Sequence, residues 1–140
     1  MNDYVLHFYY KRIPNEVADK FYTFNWKEIK ATNPKAVIGI AMDKNGEVIA
    51  AFKLQLMEKL NEIAYNFIIK NFEIVPELQH EGYGVGVLNS LLWKYRPEKI
   101  EVECIPVAED NGESVEWFKY QGFIPVDEDS DCNILYKNFK

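Results

Sequence analysis

Three glycines alternate with Tyr83 and Val85 where a strand-like pattern gives way to a helical one, in the segment IVPELQHEGYGVGVLNSLL (residues 74–92). At the start of a helix the first backbone N–H groups have no partner within the helix, and the helix dipole adds a partial positive charge. Glycines at positions 82, 84 and 86 let this backbone approach a ligand without an intervening Cβ atom. The segment therefore predicts a site for pyrophosphate or another anion, although a tight turn without a ligand explains the same glycines.

The spacing of these glycines differs from that of two common phosphate-binding loops. The sequence contains no Gly-x-x-x-x-Gly-Lys-Ser/Thr, which excludes a P-loop on its own signature. Position 87 is Val where a dinucleotide-binding turn has its third glycine, and the segment follows four predicted strands rather than the first one. The turn therefore does not fit the first turn of a Rossmann fold.

The rest of the chain predicts strands and helices in alternation. Apolar and β-prone runs predict strands over residues 4–10, 36–42, 47–57, 62–75, 99–105 and 134–139. Helical spacing predicts helices over residues 15–31, from Val85 to Tyr95, and over residues 111–121. Asn45-Gly46 predicts a hairpin turn. In the run 62–75, neither set of alternate residues is consistently apolar. This irregularity predicts a β-bulge or a change of face near residues 68–70.

The length and the order of these elements predict the fold class. A chain of 140 residues is typical of one domain, here residues 1–140. Antiparallel hairpins come first, and strands joined through helices follow. This order predicts a single-domain α/β fold with a mixed, mostly antiparallel sheet flanked by helices.

Charge and cysteine content indicate the cellular compartment and the classes of partner to expect. The net charge of −6 disfavours general binding to nucleic acid, whose phosphates attract basic proteins. Two cysteines and an N-terminus without an apolar leader predict a reducing, cytoplasmic setting, in which Cys104 is a small core residue. No apolar run approaches the roughly 20 residues that span a bilayer, so no membrane association is expected. The sequence has no metal-ligand spacing.

A second stretch that could contain functional residues is EDNGESVEWFKYQGF (residues 109–123). Asn111 is a predicted helix N-cap. At 100° per residue, Ser114 and Phe118 share one helix face with Asn111, whereas Tyr120 points away. Taken alone, the stretch is an amphipathic helix that ends at Gly122.

Together the two stretches resemble the GCN5-related N-acetyltransferase (GNAT) family. Its motif A is an apolar strand followed by V-x-P-x-x-Gln/Arg-x-x-Gly-x-Gly/Ala, which residues 74–84 (IVPELQHEGYG) fit. Its motif B combines Asn-x-x-Ala/Ser, an aromatic pair and Gly-Phe, and the matching positions are Asn111, Ser114, Trp117, Phe118, Gly122 and Phe123. The order of strands also fits, so the resemblance covers nearly the whole chain and implies the acyl-CoA N-acyltransferase fold.

The resemblance implies an N-acetyltransferase that transfers the acetyl group of acetyl-CoA to a primary amine of a small molecule or peptide. The irregular strand would separate from its neighbour and open a cleft for the thioester. Backbone groups of Ile74 and Val75 would pair with the pantetheine arm and stabilise the oxyanion. The other implied cofactor-binding residues are Gln79, His80, Glu81, Gly82, Tyr83, Gly84, Val85 and Gly86 at the pyrophosphate, and Asn111, Ser114 and Phe118 on the far side. The resemblance is also compatible with a homodimer.

Three positions leave the catalytic assignment open. Many family members have a tyrosine general acid where this chain has Phe118, which cannot donate a proton. Glu81 stands where basic residues are common, and it would repel pyrophosphate unless it points to solvent. Candidate general bases are Glu73 and Glu103, with a surface carboxylate as the alternative for each. Two other functions therefore stay open: a catalytically weak or inactive CoA-binding regulatory domain of the same fold, and an interaction module with a purely structural glycine turn.

Overall fold

The computed structural model describes residues 4–139, and its strands form one seven-stranded sheet in the order β1-β2-β3-β4-β5-β7-β6. β4 and β5 are parallel, and the other neighbouring strands are antiparallel. The predicted mixed, mostly antiparallel α/β fold is thus confirmed. The strands are β1 (Val5–Tyr9), β2 (Ala36–Met42), β3 (Val48–Lys59), β4 (Tyr65–Ile74), β5 (Lys99–Glu103), β6 (Ile124–Pro125) and β7 (Ile134–Asn138), and the helices are α1 (Asn15–Ala18), α2 (Tyr83–Tyr95), α3 (Val107–Asp110) and α4 (Glu113–Tyr120).

Apolar side chains cover both faces of the sheet. On one face, Leu91 of α2 and Phe118 of α4 join a buried cluster with sheet residues such as Phe67. On the other face, Trp26 packs in a separate cluster with Ile40. Successive strand residues point to opposite faces, and both faces are covered by apolar clusters. The central strands are therefore apolar on both sides.

Strand β4 contains one extra residue. Lys53 of β3 pairs with Asn71, whereas the next residue, Leu54, pairs with Ile69, so Lys70 has no partner in β3. This is the β-bulge that the irregular apolar pattern predicted near residues 68–70.

The bulge changes which side chains face the helices. Before it, Phe67 and Ile69 are buried in the cluster beneath α2 and α4. After it, Phe72 and Ile74 pack on that side of the sheet. Glu73 therefore points to the opposite face.

β4 and β5 separate beyond the bulge. Their ladder joins Phe67–Ile69 to Ile100–Val102 and stops there, while β4 continues to Ile74. One edge of β4 is thereby left without a neighbouring strand from Lys70 onward, within the part of the chain that the structure describes.

The predicted helix over residues 15–31 is wrong, since only Asn15–Ala18 is helical. The backbone N–H groups of Tyr22, Thr23 and Phe24 donate to the carboxylate of Glu73 on β4. In a helix these N–H groups would donate to carbonyls four residues earlier, so the two arrangements exclude each other.

The predicted N-cap of the last helix is also wrong. α4 begins at Glu113, and Asn111 lies outside it with a left-handed φ of 61° at the end of α3. The Asp110 carboxylate instead accepts hydrogen bonds from the N–H groups of Gly112 (3.0 Å) and Ser114 (2.9 Å). A carboxylate next to unpaired N–H groups at a helix start stabilises that start.

The helices are short, and several boundaries shift from those predicted. α2 has 13 residues and α4 has 8. β4 begins at Tyr65 rather than at residue 62, and neither α3 nor β6 was predicted. Within residues 4–139, no helix combines the length and apolarity needed to cross a bilayer.

Candidate functional site

A cleft of about 550 Å³ lies between the glycine turn and α4, beside the open edge of β4. Phe72 and Ile74 of β4 contribute to its lining, and Thr23 reaches it from the segment after α1. Of the sequence-predicted cofactor residues, Ile74, Gln79, His80, Gly82, Gly84, Val85, Ser114 and Phe118 line this cleft. Val75, Glu81, Tyr83, Gly86 and Asn111 lie outside its lining.

The glycine turn presents backbone donors at the start of α2. A short 3₁₀ turn (Pro76–Leu78) leads into it, and Gly82 precedes the helix with a φ of 86°. Among the described residues, no side chain caps this end of α2. The first N–H groups of the helix are therefore available to an anion.

The three glycines have different neighbours. A Cβ atom on Gly82 would meet nothing within 4 Å. A Cβ atom on Gly84 would lie 2.7 Å from Cζ2 of Trp117, and one on Gly86 would collide with the Tyr4 ring. Gly82 thus faces open space, whereas the other two glycines make room for aromatic side chains that the motif does not reveal.

The open edge of β4 offers a backbone donor at Ile74 rather than at Val75. The Val75 N–H donates to the carbonyl of Ile49 (2.9 Å), so it faces β3. Neighbouring residues of a strand direct their N–H groups to opposite edges, which points the Ile74 N–H toward the cleft. The Ile74 carbonyl on the same edge accepts from Nε2 of Gln79 (3.1 Å). The expectation that Val75 supplies an oxyanion donor is therefore corrected.

Aromatic rings form the α4 side of the cleft. Trp117 stacks on Phe72, with ring centroids 5.9 Å apart, and Phe118 packs edge-on against Trp117 at 4.8 Å. Phe118 is buried, and Tyr120 is 90% exposed on the opposite helix face, as predicted. The position of a motif B tyrosine thus holds an apolar ring.

The charges in the cleft are mostly negative. Glu73, Asp110, Glu113 and Glu116 line it, and within residues 4–139 no Lys or Arg does. Nε2 of His80 lies 3.9 Å from Oε1 of Glu113. Glu81 is exposed and outside the lining. Attraction of an anionic ligand must therefore come from backbone donors.

Glu73 is buried, contrary to the alternative of a surface carboxylate. Only 4% of its surface is exposed. Its Oε2 accepts from the N–H groups of Tyr22 (2.9 Å) and Thr23 (2.7 Å). Its Oε1 accepts from the N–H of Phe24 (3.0 Å) and from Nε1 of Trp26 (2.9 Å). Since a carboxylate has about four acceptor positions, all of them are filled.

Glu103 and Cys104 lie at the end of β5, outside the cleft lining. Glu103 is exposed and forms an ion pair with Nζ of Lys70, as its alternative interpretation predicted. Cys104 is buried. Burial raises the pKa of its thiol to about 12, although a hydrogen bond with Ser114 opposes the shift. The thiol is therefore protonated at neutral pH, in agreement with a core residue.

Comparisons with known proteins identify the fold. No protein-family model matches the sequence. No curated protein matches it either. Among solved structures, Naa50 of Arabidopsis thaliana in complex with the bisubstrate analogue CoA-Ac-MVNAL is 15% identical, over 98% of this chain and 99% of the other, with a TM-score of 0.57.

Two further structures match over similar spans. A mutant AtaT toxin, bound to the C-terminus of the antitoxin AtaR and to acetyl-CoA, is 15% identical over 98% of this chain and 94% of the other, with a TM-score of 0.56. The KacTA–DNA complex is 12% identical over 96% of this chain and 92% of the other, with a TM-score of 0.59. At such identities the likeness concerns the fold, and this chain has the GNAT fold that its two motifs predicted.

Proposed function

We propose that this protein is an acetyl-CoA-dependent N-acetyltransferase that acts on a primary amine. The cleft of about 550 Å³ carries the proposal, because it joins uncapped donors of α2 to the open edge of β4. The N–H groups around Gly82 and Gly84 would hold the pyrophosphate, and the edge at Ile74 would pair with the pantetheine arm. The acetyl-CoA of the AtaT structure and the CoA conjugate of the Naa50 structure support this choice of ligand.

The reaction would be direct attack of a neutral amine on the thioester carbon. The C–N bond forms, the carbonyl electrons pass to oxygen, and their return breaks the C–S bond to release the CoA thiolate. The Ile74 N–H would stabilise the oxyanion. Deprotonation of an alkylamine with a pKa of about 10.4 costs about 4.6 kcal/mol at pH 7, so the proton step is the more costly one. The ammonium would lose one proton to water before the attack, and the nitrogen would lose a second proton to water as the amide forms.

We infer that neither predicted base takes these protons, although Glu73 is among the residues that line the cleft. The acceptor positions of Glu73 are filled, and Glu103 is paired with Lys70 outside the cleft lining. Phe118 cannot protonate the leaving sulfur. Departure as a thiolate costs about 2 kcal/mol at pH 7 for a thiol of pKa about 8.5. We therefore expect kcat/KM to rise about tenfold per pH unit between pH 6 and 9, as the neutral amine becomes more abundant. A plateau in that range would contradict water as the proton acceptor.

A thiol-release assay tests the proposal. Acetyl-CoA is incubated with polyamines, aminoglycosides, amino acids and lysine peptides, and free CoA is measured with a thiol reagent. The Cys132→Ser variant lowers the background, because Cys132 is partly exposed whereas Cys104 is buried. Turnover with an amine, together with an acetyl-CoA-dependent rise in melting temperature, is the expected result. Absence of any thermal shift with CoA esters would leave only the interaction module.

The acidic lining and Phe118 favour a second candidate, a CoA-binding domain with little or no catalysis. Carboxylates near the phosphates weaken CoA binding, and the missing hydroxyl slows thiol release. Stabilisation by acetyl-CoA without turnover across the amine panel would identify this function. For either candidate the net charge of −6 still predicts no binding of nucleic acid.

A further inference from the structure

The cleft has a second wall that no sequence motif marks. Residues 22–26 follow α1 without regular secondary structure, and we call them the 22–26 segment. Thr23 is exposed and lines the cleft. Phe21 and Trp26, on either side, are buried on the sheet face opposite α2 and α4. The open edge of β4 thus connects the glycine turn on one face to the 22–26 segment on the other.

Glu73 binds this segment through its backbone. Three consecutive N–H groups, from Tyr22 to Phe24, and the indole N–H of Trp26 all donate to the one carboxylate at 2.7 to 3.0 Å. Hydrogen bonds to a charged group are stronger than those between neutral groups. Because Glu73 lies on β4 between Phe72 and Ile74, its carboxylate fixes the segment relative to the lining of the cleft.

We propose that Glu73 is a positioning residue, which holds Thr23 as the wall that contacts the acceptor amine. This inference rests on the proposed function and assigns the acceptor side of the same cleft. Glutamine is the sharpest replacement, because it keeps the shape but directs an NH₂ donor at N–H groups that need acceptors. A buried N–H without an acceptor destabilises its conformation, so the segment would leave its position.

The test compares Glu73→Gln with the matched control Glu58→Gln, an exposed carboxylate on β3. Hydrogen exchange of the amides at residues 22–24 is measured first, without any acceptor. We expect exchange to accelerate at least about tenfold in Glu73→Gln, since the protecting acceptors are lost. The control should match the wild type. Unchanged exchange in Glu73→Gln would overturn the positioning role, whether or not the protein has activity.

Steady-state kinetics then separate positioning from base catalysis. With an amine that the wild type acetylates, Glu73→Gln should raise the amine KM about tenfold, leave the acetyl-CoA Kd within about twofold, and keep the slope of the pH profile. A loss of kcat with unchanged KM and a changed pH slope would identify Glu73 as a base and overturn the inference. A wild type without turnover on any amine would contradict the proposed function, while the exchange result would still decide the position of the segment.

A second variant keeps the inference testable if Glu73→Gln fails to fold. Thr23 is exposed, so Thr23→Val and Thr23→Ser should fold. If Thr23 contacts the amine through its hydroxyl, Thr23→Val should raise the amine KM at least about threefold, and Thr23→Ser should restore it. Equal KM values for Thr23→Val and the wild type would remove Thr23 from the acceptor wall.

Discussion

The two walls of the cleft are built in different ways. The glycine turn depends on neighbours within a few residues, namely the 3₁₀ turn before it and the first turn of α2 after it. The 22–26 segment depends on Glu73, which is about fifty positions away in the chain. Backbone groups of one wall stay open to a ligand, whereas those of the other are held by a buried carboxylate.

Function can therefore change more independently of stability at one wall than at the other. An open backbone donor contributes nothing to folding until a ligand arrives, so changes there alter binding first. A filled carboxylate contributes to the native state itself, so changes there alter stability as well. The variants below test this division, starting from the largest expected effect.

Gly84→Glu should abolish acetyl-CoA binding. A side chain at this position displaces Trp117, whose Cζ2 would lie 2.7 Å from the new Cβ, and it places a negative charge beside the phosphates. Overpacking of this kind costs about 1–3 kcal/mol, so the melting temperature should also fall. Calorimetric titration and thermal unfolding measure the two effects. Wild-type affinity in this variant would exclude the glycine turn from the site.

Gly82→Ala and Gly46→Ala form a matched pair. Both glycines have a positive φ, 86° and 82°, and an added Cβ meets nothing within 4 Å at either site. Each substitution should therefore destabilise the fold by about 1–2 kcal/mol. Only Gly82→Ala should weaken acetyl-CoA binding, by about tenfold, because its methyl group enters the space expected for the pyrophosphate. Equal affinities in the two variants would show that Gly82 serves the turn alone.

Much of the fold could be predicted from the sequence. All strands except β6, the Asn45-Gly46 hairpin, the bulge in β4 and the turn before α2 follow from apolar periodicity and local turn chemistry, and the structure confirms them. The apolar spacing of Val17, Phe21 and Phe24 predicted a helix, but Phe21 instead packs beside Trp26 in a non-helical segment. A carboxylate far along the chain determines that outcome, and no local pattern encodes such a contact.

The capping of α4 illustrates the same limit at short range. Asn111 fits the N-cap preference, yet Asp110 supplies the capping carboxylate because α3 ends immediately before α4. Asn, like Gly, tolerates the left-handed conformation required between two helices. Likewise, Trp117 of α4 packs against Gly84 of the glycine turn, a contact that neither motif encodes alone.

Trp26→Phe should lower stability without changing acetyl-CoA affinity. The indole N–H donates to Glu73 at 2.9 Å, and the ring is 1% exposed. Loss of this bond and of ring volume should reduce the free energy of unfolding by about 2 kcal/mol. The control Trp93→Phe changes a ring that is 60% exposed and should have almost no effect. A parallel loss of cofactor affinity in Trp26→Phe would show that the two walls are coupled.

Glu113→Gln should strengthen acetyl-CoA binding slightly. Glu113 lines the cleft, with its Oε1 3.9 Å from Nε2 of His80, and its charge would repel a phosphate bound there. Removing one exposed charge should improve the Kd about threefold at low salt, and the gain should vanish near 1 M salt as screening shortens the range of the field. Glu128→Gln, in the connection between β6 and β7, should change nothing. Identical titrations of Glu113→Gln and the wild type at low salt would show that the phosphates bind away from α4.

Lys70, which has no partner in β3, determines the orientation of every residue that follows it in β4. If Lys70 joined the ladder with β3 and the bulge closed, the rest of the strand would rotate by half a period. The Glu73 carboxylate would then lie among the aromatic rings, and Phe72 would lie toward the backbone amides of residues 22–24. Both walls would be lost through a one-residue slip in strand pairing, although neither wall contains Lys70.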